Sequence, residues 1–426
     1  MEDPRPSGPS SVSGLARAHA PRAARIAVAI VAVVALLSAT GALIRFTQHR
    51  ITHPPPQPVT PPDVQHPTPA WTATSAFGPI SGLATFGDAL FAGTGDGLVA
   101  YPLPCPAVNR VCRRAWHDPI PDGPLSAPAS NGDEVYAGSA RGHVYAFPAA
   151  CADPFCAPLW RANAGSGSVS APGVNDDFVY VTSSNLYAFP ARCGSADLSC
   201  PPAWIGAMPG RAADGPPAVG AGLVVVSWRN GDRGGVEAFP AVCVDPCAPV
   251  WTATTDGPPT SAMLSADTAY VVADGALIAY PLSCHGVCDP AWVGPFRVGL
   301  PYAHGTLAAP TLDHDRVYVG GADGRLWVFP ASCDTGTCGS LASFPLGTAA
   351  LLSPIARNGI VYVAAVDGTL TALEERCGDP APPAVCAHPW TDQLGHAVAD
   401  GPVSTDDVLY IGDDAGTVHA YAIPRG

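Results

Sequence analysis

The chain of 426 residues contains no lysine, so all 21 of its basic residues are arginines, set against 35 acids. Charge of either sign is scarce, at 13% of residues. Six of the arginines (Arg5, Arg17, Arg22, Arg25, Arg45, Arg50) precede residue 51, against Glu2 and Asp3, and the rest of the chain carries 15 Arg against 33 acids. A body so poor in cations has no electrostatic footprint for phosphate backbones, which excludes nucleic acid as a partner. No C-x-x-C-H is present, which excludes covalent haem, and no H-E-x-x-H of a helical zinc site appears. Gly93-Thr94-Gly95-Asp96-Gly97 looks like a phosphate loop, but no helical pattern follows it. Its Asp-Gly turn recurs as Asp274-Gly275, Asp323-Gly324 and Asp367-Gly368, which marks it as a repeated hairpin turn.

Against these absences stand 45 Gly and 49 Pro in a chain that is 47% hydrophobic. That combination reads as many short strands joined by tight turns rather than as disorder. Long apolar runs are confined to residues 26–44, nineteen uncharged residues bracketed by Arg25 and Arg45. At about 1.5 Å per residue, a helix there spans roughly the 30 Å of a bilayer core. The arginines before it place residues 1–25 in the cytoplasm, with the remainder exported. The same stretch also fits a cleaved signal peptide, with Ser38 to Gly41 as its cleavage region, and that alternative exports the remainder equally. Residues 45–67 then form a Pro-rich stalk, expected to be an extended, semi-rigid spacer.

From residue 68 to 426 the chain repeats with a period near 45. Trp71, Trp116, Trp160, Trp204, Trp251, Trp292 and Trp390 mark the units, and Phe344 is expected to fill the one missing place. Each unit reads as a small-residue strand, a polar turn, a Val-Tyr-Ala strand, a Gly turn, and a strand ending Ala-aromatic-Pro. The fourth strand opens on the marker. Ala100-Tyr101-Pro102, Ala188-Phe189-Pro190, Ala238-Phe239-Pro240 and Ala279-Tyr280-Pro281 show the third ending, which drifts to Ala372-Leu373 and Ala420-Tyr421. Four strands per unit and no helical segment predict an all-β, eight-bladed propeller. The last unit stops after its third strand, and Thr68–Ala73 is an orphan fourth strand that closes the ring.

All fourteen cysteines fall between third and fourth strands, in pairs: Cys105/Cys112, Cys151/Cys156, Cys193/Cys200, Cys243/Cys247, Cys284/Cys288, Cys333/Cys338 and Cys377/Cys386. The eighth repeat has none, and its hairpin is the one that the termini interrupt. A zinc reading needs two pairs to meet, whereas in a radial array these hairpins stand apart. An even count in an exported chain favours seven local disulfides.

The unit V-Y-A-F-P-A-x-C…C-x-P-x-W, as at Val144–Trp160, resembles the pyrroloquinoline-quinone-type propeller repeat over residues 70–426, with Pro and a cysteine loop in place of that family's Asp and Thr-Gly turn. The resemblance implies either a binding or sensor propeller of the cell envelope or a quinone-dependent dehydrogenase. A dehydrogenase of that family needs an Asp base, oxygen ligands for a calcium ion and often adjacent cysteines. No two cysteines here are adjacent, and the 41–52 residues between markers leave no room for active-site insertions. The expectation is therefore a non-enzymatic propeller without cofactor or metal, binding an envelope protein or polymer.

The loops opposite the cysteine hairpins supply the candidate binding residues. They are Asp122, Asp214, Asp256 and Asp400, each in an Asp-Gly-Pro turn, with Arg141, Arg229, Arg233 and Arg325 between them. Asp-Gly is also ordinary turn chemistry at any exposed corner. Trp228 and Trp327 lie off the repeat pattern, either as ligand-stacking or as packing residues.

Overall fold

The computed structural model describes residues 67–194, 198–213, 215–296, 308–375 and 390–424. The expected tail 1–25, apolar segment 26–44 and most of the stalk 45–67 lie outside them. Every element among the described residues is a strand, and the strands form eight sheets, one per repeat and antiparallel within each blade, with Gly286–Val287 of repeat 5 added in parallel to the sheet of blade 4. In repeat 2 the order from the axis outward is Ala129–Ser130, Glu134–Gly138, His143–Pro148 and Trp160–Asn163. The eighth sheet joins Val403–Ser404, Val408–Gly412 and Thr417–Ala422 to Thr68–Thr74, with Thr72 opposite His419. The ring therefore closes with the first strand of the chain as the outermost strand of the last blade.

The second and third strands of each blade are apolar on both faces because each blade packs between two others. Val135, Tyr136 and Ala137 are all fully buried. One layer joins Phe91, Ala100 and Trp116 of blade 1 to Val135, Ala137 and Phe147 of blade 2, and the same arrangement recurs around the ring. The marker tryptophan lies opposite an alanine, as in Ala100↔Trp116, Ala188↔Trp204 and Ala372↔Trp390, so the missing side chain makes room for the indole.

Blade 6 departs from the expectation. Ala342, not Phe344, occupies the marker position, and it faces Val328 where other blades have alanine. Phe344 sits two residues further along the same strand, and the large side chain has moved to the opposite partner.

A second device joins neighbouring blades. The hydroxyl of Tyr136 donates to Ala191 O (3.2 Å), that of Tyr180 to Ala241 O (2.8 Å) and that of Tyr270 to Ala331 O (2.7 Å). In each case the acceptor is the residue just after the third strand of the next blade.

Five of the expected disulfides are present, Cys105–Cys112, Cys151–Cys156, Cys193–Cys200, Cys243–Cys247 and Cys284–Cys288, with Cα–Cα distances of 5.7–6.2 Å. Cys377 and Cys386 lie outside the described residues. Cys333 and Cys338 are free thiols rather than the expected bridge. Their turn is closed instead by the Thr335 hydroxyl, which donates to Thr337 O at 2.6 Å.

Each of the six described hairpins lies against the outermost strand of the preceding blade in a short parallel bridge. The pairs are Thr72↔Val111, His117↔Phe155, Arg161↔Ser199, Gly206↔Cys247, Trp251↔Gly286 and Val293↔Thr337. Arg161 N donates to Leu198 O (2.8 Å) and Cys200 N to Arg161 O (3.1 Å), and Val293 with Gly336 and Cys338 repeats the pattern. A propeller blade otherwise ends in an unpaired edge, a template for unwanted strand pairing. Here the next blade's hairpin covers it.

Candidate functional site

The loop face combines the fourth-to-first connections with the second-to-third turns, which bond to each other, as Gly95 N does to Pro79 O (3.1 Å) and Ala140 N to Pro124 O (3.0 Å). Two of its four candidate acids are engaged within the fold. Asp122 accepts from the Tyr145 hydroxyl and lies 2.9 Å from His143 Nδ1, and these contacts, the Tyr145 hydrogen bond foremost, hold its carboxyl below the usual range. Asp400 accepts from Gly401 N (2.8 Å). Its other oxygen presses on Gly82 of blade 1, where an added Cβ would come within 2.6 Å of it. Burial raises the Asp400 carboxyl above the ordinary carboxylate range. Asp256 is exposed, and Asp214 lies outside the described residues. The hairpin acids behave as turn residues: Asp323 accepts from Arg325 N (3.2 Å) and Asp367 from Thr369 N (3.0 Å).

The arginines are not spread evenly in their consequences. Arg141 is exposed at its turn. Arg325 lies over the Trp327 ring at 5.8 Å, and Trp327 in turn packs on Phe296 at 5.6 Å, so this off-pattern tryptophan is a packing residue. Arg229 and Arg233 both belong to blade 4, which is the irregular blade. Its second and third strands, Leu223–Asn230 and Arg233–Pro240, are the longest of the described strands at eight residues each. An extra strand, Ala212–Ala213, pairs with Trp228 and Arg229.

Trp228 lies across from Gly235, where an added Cβ would come within 2.4 Å of the indole. Only glycine lets that ring lie flat on the neighbouring strand. The Arg211 guanidinium sits 4.4 Å over the Trp228 ring and donates through Nη1 to Glu237 Oε1. Glu237, 2% exposed, occupies a strand position that holds Tyr145 in blade 2 and Tyr187 in blade 3. Glu237 Oε2 and Trp228 Nε1 are buried without a hydrogen-bond partner. Beside them opens a cleft of about 430 Å³ lined by Gly210, Arg211, Ala212, Arg229, Asn230 and Gly231. Its lining includes two arginines and no acid, in a chain of net charge −14.

The structure thus gathers Arg229 and Trp228 around one cleft, with Arg233 on the same hairpin, and leaves the aspartates dispersed. Sequence reasoning missed Arg211 and Glu237. Glu237 was findable, because an acid stands there between Val236 and Ala238 in an apolar run.

No protein-family model matches this sequence, and no curated protein matches it. Solved propellers match the fold. BamB from Moraxella catarrhalis superposes with a TM-score of 0.62 at 16% identity, covering 85% of this chain and 99% of that one. Sqt1 of Saccharomyces cerevisiae gives 0.66 at 9% identity over 84% of this chain and 100% of that one. The computationally designed Ika8 protein gives 0.65 at 13% identity over 84% and 100%. At these identities the likeness is one of fold.

Proposed function

We propose that this protein is a non-enzymatic binding propeller, tethered to the cell membrane by residues 26–44 and facing out of the cytoplasm, that holds an acidic protein or envelope polymer on its loop face at blade 4. The observation that carries the reading is the cleft there. A lengthened hairpin, an extra strand and two lining arginines break the repeat at one place, on a body whose remaining charge is acidic. Electrostatic complementarity of this kind steers and orients a partner. Hairpins covering the blade edges and local disulfides suit an exported protein in an oxidising compartment. The resemblance to the quinone-type repeat supports the envelope setting.

The test is capture of partners from envelope extract by the full-length chain, run against the Arg229→Glu/Arg233→Glu variant. Both residues are exposed, and equal melting temperatures of the two proteins confirm that the variant folds. Loss of a specific, salt-sensitive partner in the variant supports the reading, and identical capture by both proteins overturns the assignment to blade 4. Added pyrroloquinoline quinone with calcium should give no alcohol or sugar dehydrogenase activity. Dye reduction would make the chain an enzyme instead.

A further inference from the structure

At the junction of blades 6 and 7 the repeat is broken by a group of residues that the loop-face reading does not use. The turn between first and second strands reads Asn131-Gly132-Asp133 in blade 2 and Ser265-Ala266-Asp267 in blade 5, but Asp313-His314-Asp315 in blade 6. The residue after the third strand is Ala191, Ala241 or Ala331 in blades 3, 4 and 6, but Glu375 in blade 7. The fold brings these departures together: ligand atoms of Asp313, His314 and Glu375 lie within 4.8 Å of one another. His314 Nδ1 is 3.0 Å from Asp313 Oδ2.

The hydrogen bonding beneath them has changed as well. In blades 2, 3 and 5 the second-strand tyrosine donates to the carbonyl after the next blade's third strand. Here that carbonyl, Glu375 O, accepts from Arg316 Nη1 at 3.3 Å. Tyr318, 1% exposed, is left with its hydroxyl buried and without a hydrogen bond of normal geometry. The Glu375 carboxylate is its charged neighbour. A buried polar atom without a partner marks a place where something polar belongs.

We propose that Asp313, His314 and Glu375 hold a divalent transition-metal ion of the zinc type, linking blade 6 to blade 7. One imidazole and two carboxylates are a zinc-type donor set, and three protein ligands leave a fourth position for water. Calcium wants six to eight oxygen ligands, which this surface does not gather. Arg316 also counts against an ion held by charge alone, although its Nε lies 3.9 Å from Asp315 Oδ1, which offsets it. The ion displaces the proton between His314 and Asp313, so binding weakens in acid. The site is independent of whatever docks at blade 4.

The experiment uses the tag-free full-length chain in a Cys333→Ser/Cys338→Ser background, so that no thiol pair supplies a metal count. After equilibrium dialysis against zinc, elemental analysis should return one ion per chain. His314→Ala should weaken binding at least a hundredfold and Glu375→Gln about tenfold, and millimolar calcium should not compete. Both side chains lie at the surface of a turn or strand end, and equal melting temperatures without metal confirm that the variants fold. No zinc on the parent, or undiminished zinc on His314→Ala, overturns the site.

Discussion

The hairpin of blade 1 offers the sharpest test of the edge-covering arrangement, because it grips the strand that closes the ring. Thr72 N donates to Arg110 O at 2.9 Å, and Cys112 N donates to Thr72 O at 2.9 Å. The Thr72 amide points away from the rest of its sheet, so this hairpin is its only protection. Ser75 N, just past the end of that strand, faces inward and donates to Gly416 O at 2.8 Å. Replacing Cys105 and Cys112 by serine removes a closure spanning a sequence separation of 7. On the chain-entropy model such a loop contributes about 2.5 kcal/mol. If that constraint holds the hairpin down, its loss speeds exchange of the Thr72 amide roughly 70-fold, since each 1.4 kcal/mol is a factor of ten. Native-state hydrogen exchange read residue by residue should show this jump at Thr72 and little change at Ser75. Unchanged exchange at Thr72 would show that the edge is protected by something other than the hairpin. Equal acceleration at both amides would mean that the whole strand detaches, and the hairpin would then be part of ring closure rather than a cover.

Two further expectations rest on single positions. Burial pushes the Asp118 carboxyl up to about 6, so its ionisation opposes folding, and this penalty appears as pH rises from about 4 through 6. Asp118→Asn should therefore stabilise the propeller at pH 7 by about 1 kcal/mol after solvent screening, and not at pH 3.5, as chemical denaturation at the two pH values will read. In blade 6, Ala342→Trp alone should overpack against Val328 and cost about 1–3 kcal/mol. Adding Val328→Ala should recover most of that loss by restoring the arrangement of the other blades, measured as a thermal-melt double-mutant cycle.

Much of the architecture is legible in the sequence because a propeller blade cannot bury its faces alone. The need for neighbours forces apolar residues onto both faces of Val-Tyr-Ala strands, and the repeated unit records it. The missing cysteine pair of the eighth repeat likewise announced the interrupted hairpin and hence the closure through Thr68–Thr74. Blade 6 misled the reading because Phe344 keeps the aromatic character of the marker without its register. Exchange of bulk between Ala342 and Val328 is a three-dimensional compensation that leaves no spacing signal. The hairpin contacts with preceding blades were equally silent, since two backbone hydrogen bonds ask nothing of residue type. At the loop face, Asp-Gly-Pro turns drew attention by their recurrence, but recurrence reflects turn geometry. Blade 4 carries its distinctive chemistry on residues that occur once, Arg211 and Glu237, and a repeat-based reading discounts single occurrences.

The closing strand has a mechanical meaning as well as a topological one. Thr68–Thr74 is paired with Thr417–Ala422 on one side and held by the blade 1 hairpin on the other. In the tethered arrangement proposed above, tension would enter the ring at Thr68, and a pull along the strand would load its pairing in shear. The register pairs from Thr68↔Ala422 to Thr74↔Thr417 must then slide together, rather than opening one after another like a zipper. The lifetime of such a joint under load is an unfolding rate, not an equilibrium stability. The Cys105–Cys112 staple closes the hairpin that grips this strand, so it would lengthen that lifetime.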